Sequence, residues 1–89
     1  MSAYYSDLIR RPHYVYRAYI DTRLAYVGVT TNPPGRFARH SCKKPWWKSV
    51  SAIDIVKYTD RDAAFAAEAR AIRDEHPIYN ISKPGVVDA

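Results

Sequence analysis

Arg36 and His40 are four residues apart and follow Asn32-Pro33-Pro34, a pattern that predicts the start of a helix. Residues four apart on a helix lie one turn above each other on a common face. A guanidinium can bind two phosphate oxygens at once, and a neighbouring imidazole can carry a proton near neutral pH. The pair therefore predicts a phosphate site with a proton carrier, although an exposed basic helix face is the ordinary alternative.

Glu68 lies in an alanine-rich segment whose spacing predicts an amphipathic helix. Phe65, Ala69 and Ile72 predict the inward face, and Glu68 follows Phe65 by three residues and precedes Ile72 by four. A partly buried carboxylate must pair with a cation or hold a metal ion, so a structural salt bridge is the alternative to a ligand. One carboxylate completed by water suits magnesium.

Tyr16 and Tyr26 lie in two runs rich in β-branched and aromatic residues, which predict a β-hairpin. A three-residue loop at 21–23 places Tyr16 opposite Gly28 and Ala18 opposite Tyr26. The two phenols then share one face, and Gly28 leaves a gap that a ligand could enter. A loop one residue longer or shorter would put the tyrosines on opposite faces, and strand packing is their ordinary role.

Positive charge is concentrated in the first half of the chain. Up to Lys48 there are nine Lys and Arg residues against two acids, a net charge of +7, and the remainder has five against seven, a net charge of −2. Such a region is typical of a polyanion-binding protein, although solubility alone can explain it. The predicted DNA contacts are Arg39, Lys43, Lys44 and Lys48, with Trp46 as a base-stacking residue in Trp46-Trp47, where core packing is the alternative.

These residues must be positioned by elements in the order ββαβα. The predicted elements are strands at 13–20 and 24–31, a helix from 32 to about 41, a strand at 52–58, and a helix capped by Thr59 or Asp60 that ends near Glu75. The fold class is α/β (α+β), a small three-stranded antiparallel sheet flanked by helices. We expect an N-terminal arm at 1–12, one domain at 13–81 and a C-terminal tail at 82–89.

Size and cysteine content exclude several classes of protein. A chain of 89 residues has room for one small core. The single cysteine, Cys42, excludes an internal disulfide, and the histidines have none of the usual zinc spacings. With neither a membrane-spanning apolar run nor a signal-peptide segment in this sequence, we expect a cytoplasmic protein that does not act in a membrane.

In combination, these motifs resemble the GIY-YIG nuclease family over His13 to about Ile81. The matching positions are Tyr14-Val15-Tyr16, Tyr26-Val27-Gly28, Arg36 with His40, Glu68, and Tyr79-Asn80. The first motif departs from the family pattern, since Tyr14 stands where the family usually has glycine.

The resemblance implies a metal-dependent endonuclease that hydrolyses DNA phosphodiester bonds. Tyr16 would help to deprotonate the attacking water, with its phenolate stabilised by Arg36, His40 and the metal. Arg36 would also offset the phosphoryl charge, and Glu68 would hold one Mg²⁺ or Mn²⁺ ion. The remaining roles are water orientation or proton relay for Tyr26 and His40, and support of the site for Asn80.

Two other functions are compatible with the sequence. One is a non-catalytic DNA-binding module of the same fold, and the other is an interaction subunit of a larger nuclease complex that docks through Trp46-Trp47. The expected substrate is duplex or branched DNA. A short domain of this kind is expected to depend on a homodimer or a partner protein for specificity.

Overall fold

A three-stranded antiparallel sheet forms the centre of the computed structural model, which describes residues 11–80. Its strands are β1 (His13–Ile20), β2 (Arg23–Thr30) and β3 (Ala52–Tyr58), arranged in the order β2-β1-β3. Two helices accompany the sheet in the described range, so the predicted small α+β domain is confirmed. Residues 1–10 of the predicted arm and the predicted tail at 82–89 lie outside the described range.

The predicted three-residue loop of the hairpin is wrong. Ile20 pairs directly with Arg23, so the turn contains only two residues. Its first residue, Asp21, has a left-handed backbone with φ of 58°. Aspartate tolerates this conformation better than most side chains, which makes the shorter turn possible.

A β-bulge corrects the register that the shorter turn would have changed. Beyond the turn, the register shifts next to the pair of Ala18 and Tyr26, and Ala25 is the extra residue of β2. The turn is one residue shorter than predicted and the bulge adds one residue to β2, so the two changes cancel in the strand register. Tyr16 is therefore opposite Gly28, as predicted, although the route to that register differs.

The first helix, α1 (Pro33–Lys43), begins as the sequence predicts. The Asn32 side chain accepts a hydrogen bond from the Gly35 amide at 3.3 Å, and prolines occupy the first turn. The helix is followed by a short 3-10 helix, Pro45–Ser49, which carries both tryptophans.

The second helix, α2 (Arg61–Glu75), is capped by Asp60, whose side chain accepts a hydrogen bond from the Asp62 amide at 3.2 Å. It ends at His76, which has a left-handed backbone with φ of 52°. Both ends agree with the prediction.

The predicted inward face of α2 is wrong in two positions. Phe65 is 40% exposed and Ala69 is also exposed, whereas Ile72 packs at the margin of the core. The core consists of Val15, Val27, Ala64, Ala67 and Ala71. Alanines let the helix approach the sheet closely, and this shape determines the inward face more strongly than the larger side chains do.

The two helices pack on opposite faces of the sheet. Val15 packs with the α2 alanines, while its neighbour Tyr16 contacts Phe37 and His40 of α1, because successive strand residues point to opposite faces. We call these the α2 face and the α1 face. No helix in the described range is long and apolar enough to cross a membrane.

Candidate active site

Tyr16 and His40 form a buried hydrogen-bonded pair on the α1 face. The Tyr16 hydroxyl lies 2.7 Å from His40 Nε2, and both residues are buried. The expectation that Gly28 leaves a gap for a ligand is wrong, because the Tyr16 ring fills it. A Cβ atom added at Gly28 would lie 2.5 Å from Tyr16 Cζ, so glycine is required for this ring position.

Both members of the pair are neutral at pH 7. Burial, together with the charges of Lys44, Arg36 and Arg39, lowers the pKa of His40 to about 4. Burial raises the pKa of Tyr16 above its ordinary value, an effect that Arg36 only partly opposes. Arg36 thus acts in the direction that stabilisation of a Tyr16 phenolate requires, whereas a neutral His40 adds no charge, and the contribution expected from the metal stays a prediction.

A cavity of about 250 Å³ adjoins this pair. Its lining contains one phenol, one imidazole and four cations: Tyr26, Arg36, Arg39, His40, Lys43 and Lys44. Every formally charged side chain in the lining is positive, which favours an anion such as a phosphate group. Four of the six predicted catalytic residues are aromatic or basic, and three of those, Tyr26, Arg36 and His40, face this cavity. Tyr16 is completely buried beside it.

Glu68 lies near the same residues, although it comes from the helix on the other face. Burial raises its pKa and the charge of Arg36 opposes that rise. The Glu68 charge in turn raises the pKa of Tyr26, which Arg36 lowers. These effects require the carboxylate, the guanidinium and the phenol to lie within electrostatic reach of one another.

The predicted partial burial of Glu68 is confirmed, and its setting fits a lightly coordinated cation. Within residues 11–80 its carboxylate makes no hydrogen bond or salt bridge. The same residues contain no group of three His, Cys, Asp or Glu side chains suited to a metal. A single free carboxylate can hold Mg²⁺ if water and substrate oxygens supply the other ligands, whereas it does not suit zinc.

Asn80 supports the strand that carries Tyr26. Its Oδ1 accepts a hydrogen bond from the Val27 amide at 2.7 Å, and its Nδ2 donates one to the Val27 carbonyl at 2.9 Å. The amides of Ile78 and Tyr79 also donate to the outer edge of β2. Asn80 thus acts on the backbone beside Tyr26 and does not line the cavity.

An aromatic cluster borders the site. Trp47 lies 4.7 Å from His40 between ring centroids, and Trp46 lies 5.7 Å from Tyr26. Trp46 also stacks on Tyr79 at 4.4 Å with an angle of 3° between the rings. Both indoles are half-buried, so they combine packing with partial exposure.

Sequence reasoning missed the contributions of Tyr79 and Phe37. Phe37 packs edge-on against Tyr16 at 5.1 Å, and it lies between Arg36 and His40 in the chain. Its position on the same helix as Arg36 and His40 could have predicted that it lies near the site. The stack of Tyr79 on Trp46 joins positions far apart in sequence, and no local pattern predicts it.

Two further cavities flank the first along α1. One, of about 320 Å³, is lined by Thr30, Thr31, Asn32, Gly35, Arg36 and Arg39. The other, of about 290 Å³, is lined by Ser41, Cys42, Lys43, Lys44, Pro45 and Lys48. All the predicted basic DNA contacts therefore line one or more of three adjoining cavities.

Comparison with known proteins adds no relative. No family model, curated protein or solved structure matches the chain.

Proposed function

We propose that this protein is a divalent-metal-dependent DNA endonuclease of the GIY-YIG type. The observation that carries the proposal is the shared cavity of Tyr26, Arg36 and His40, with the Glu68 carboxylate within electrostatic reach. A general DNA-binding surface needs the cations but has no need of a half-buried carboxylate that has no partner among residues 11–80. Hydrolysis of a phosphodiester uses both kinds of group.

Arg36 is the residue best suited to hold the scissile phosphate. Its guanidinium lines the cavity, lies close enough to the Tyr16 hydroxyl to lower the pKa of Tyr16, and among residues 11–80 donates one long hydrogen bond, of 3.5 Å, to the Val29 carbonyl, so donors remain available. Planar, bidentate binding of phosphate oxygens is the chemistry in which arginine differs from lysine. Arg36 would oppose the negative charge that develops on the phosphoryl group as water attacks.

His40 and Tyr26 are the groups that meet the attacking water, because they line the cavity and Tyr16 does not. In the tautomer in which His40 Nε2–H donates to the Tyr16 hydroxyl oxygen, Nδ1 carries no proton and would accept one from water as the O–H bond breaks. Tyr16 assists by orienting the imidazole and stabilising its charged form. A bound phosphate would offset the cations that lower the pKa of His40, and so make it a better base.

Glu68 would hold the Mg²⁺ or Mn²⁺ ion. When bound, such an ion supplies Lewis-acid stabilisation of the phosphate oxygens and the leaving oxygen. Asn80 positions β2 through Val27 and is a positioning residue in this scheme.

The test is cleavage of a supercoiled plasmid with Mg²⁺, Mn²⁺ or EDTA. We expect metal-dependent nicking that Glu68→Ala and Tyr16→Phe remove. Glu75→Ala is the matched control, because Glu75 lies on the same helix and pairs with Arg17 at 2.8 Å. Unchanged cleavage by a folded Glu68→Ala protein would reject the metal-binding role.

A non-catalytic DNA-binding module is the second candidate function. It is favoured by the complete burial of Tyr16 and by the three cation-lined cavities, which need no turnover to bind DNA. That module would retain the plasmid on a gel at every metal concentration without nicking it.

A further inference from the structure

The three cavities along α1 form a continuous path for a nucleic-acid backbone. The central cavity, of about 250 Å³, shares Arg36 and Arg39 with the cavity of about 320 Å³ and shares Lys43 and Lys44 with the cavity of about 290 Å³. The helix is about 16 Å long, given its 11 residues and a rise of about 1.5 Å per residue. This length accommodates more than one phosphate group, so the path extends beyond a single scissile bond.

The charge of this path is not compensated within the described part of the chain. None of its five cations makes a salt bridge there. The sequence also contains no acidic residue between Asp21 and Asp54. Uncompensated cations in a row are suited to a polyanionic strand.

The Tyr79 and Trp46 stack provides an aromatic platform beside the path. Tyr79 is 43% exposed although Trp46 stacks on one face of its ring. Trp46 contacts Tyr26, which lines the central cavity. The platform is thus connected to the candidate site by direct ring contacts.

We propose that these two features together bind unpaired DNA, with phosphates along α1 and a base stacked on Tyr79. Aromatic stacking needs an accessible base face, which neighbouring base pairs cover inside a duplex. A cationic path beside an aromatic platform is the general arrangement of single-strand-binding sites. This inference rests on the proposed function for its assignment to DNA, and it makes the substrate a strand with unpaired nucleotides next to the scissile phosphate.

The experiment measures binding without cleavage. Oligothymidylate, the same oligomer with abasic sites, and a duplex of equal length are titrated in EDTA, with tryptophan fluorescence and anisotropy as readouts. We expect tightest binding and fluorescence quenching with oligothymidylate, and about 10-fold weaker binding of the abasic oligomer, which keeps the phosphates but lacks the bases.

Tyr79→Leu should weaken binding of oligothymidylate by about 10-fold and leave binding of the abasic oligomer unchanged. Phe65→Leu is the matched control, because Phe65 is equally exposed, at 40%, and lies on α2 away from the path. Tyr79→Phe keeps the ring and should bind as the wild type does.

Equal affinity for the abasic and thymidine oligomers, or tighter binding of the duplex, would overturn the proposal. A ribo-oligomer bound more than 10-fold more tightly than its deoxy counterpart would overturn the assignment to DNA. These results are separable from the proposed function, since binding in EDTA does not depend on hydrolysis, and plasmid nicking by the wild type is measured independently.

Discussion

The two faces of the sheet are built from different kinds of residue. The α2 face packs two valines against three alanines, and none of these buried side chains can ionise. The α1 face packs phenols, indoles and an imidazole around a hydrogen bond between Tyr16 and His40. Both faces bury their central side chains, but among the described residues the α1 face carries a cavity lined by an imidazole, a phenol and four cations.

The treatment of charge differs in the same way. On the α2 face Arg17 donates two hydrogen bonds to Glu75, at 2.9 and 2.8 Å, so the charge is matched within the protein. On the α1 face Arg36 has no acidic partner among residues 11–80 in direct contact. Among the described residues, one face therefore pairs the Arg17 charge within the protein, whereas the other leaves the Arg36 charge for the substrate that the proposed function requires.

The largest expected effect comes from making the same substitution on each face. Arg36→Lys keeps the positive charge but loses the planar fork, and we expect nicking to fall by about 100-fold. Arg17→Lys should leave the nicking rate unchanged. Initial rates on plasmid DNA measure both, and equal losses in the two variants would remove the functional distinction between the faces.

Gly28→Ala should destabilise the α1 face by up to about 3 kcal/mol, because the new methyl group meets the Tyr16 ring. Urea unfolding measures the loss. In a Tyr16→Ala background the same substitution should cost much less, since the ring is gone. Additive losses in the double variant would show that the clash does not involve Tyr16.

The pH dependence of stability should also separate the faces. His40 has a pKa of about 4 in the folded protein and an ordinary value of 6.5 in the unfolded chain. Below pH 6.5 the unfolded chain therefore gains a proton that the folded protein does not, and the free energy of unfolding falls as the pH falls toward 4. We expect about 2 kcal/mol of this free energy to disappear between pH 7 and pH 5. Urea unfolding of His40→Gln should show a flatter profile over that range, and an unchanged slope would contradict the burial of a neutral imidazole.

The smallest effect should come from the ion pair on the α2 face. Arg17→Ala should lower the free energy of unfolding by at most about 1 kcal/mol, because the pair is partly exposed. The loss should diminish in high salt. A larger loss, measured by urea unfolding, would show that the α2 face relies on charge as well as on apolar packing.

The sequence predicts the elements better than it predicts their inner surfaces. Strong local signals, such as the Asn32 cap before two prolines and the Asp60 cap, place the helix starts correctly. The hairpin register is right at Tyr16 because a short turn and a bulge compensate each other. Such a compensation depends on backbone geometry, which residue types specify only weakly.

The inner surfaces depend on packing between distant segments. Phe65 is the largest apolar residue of α2, yet the alanines face the sheet because small side chains allow close contact. The Tyr16 ring occupies the space that Gly28 opens, and this too depends on the folded arrangement. In the candidate site, the four-residue spacing alone predicts that Arg36 and His40 share one face of α1. The pKa of His40, in contrast, depends on burial that no sequence pattern reveals.

The contact of Asn80 with Val27 has a consequence for how the protein is made. These residues are 53 positions apart, so during synthesis β2 leaves the ribosome well before its outer edge can be closed. Until Asn80 emerges, the nascent hairpin presents unpaired backbone groups to neighbouring chains. Closure of the strand that bears Tyr26 is therefore a late event, and until it occurs this edge of the newly made chain can pair with another strand.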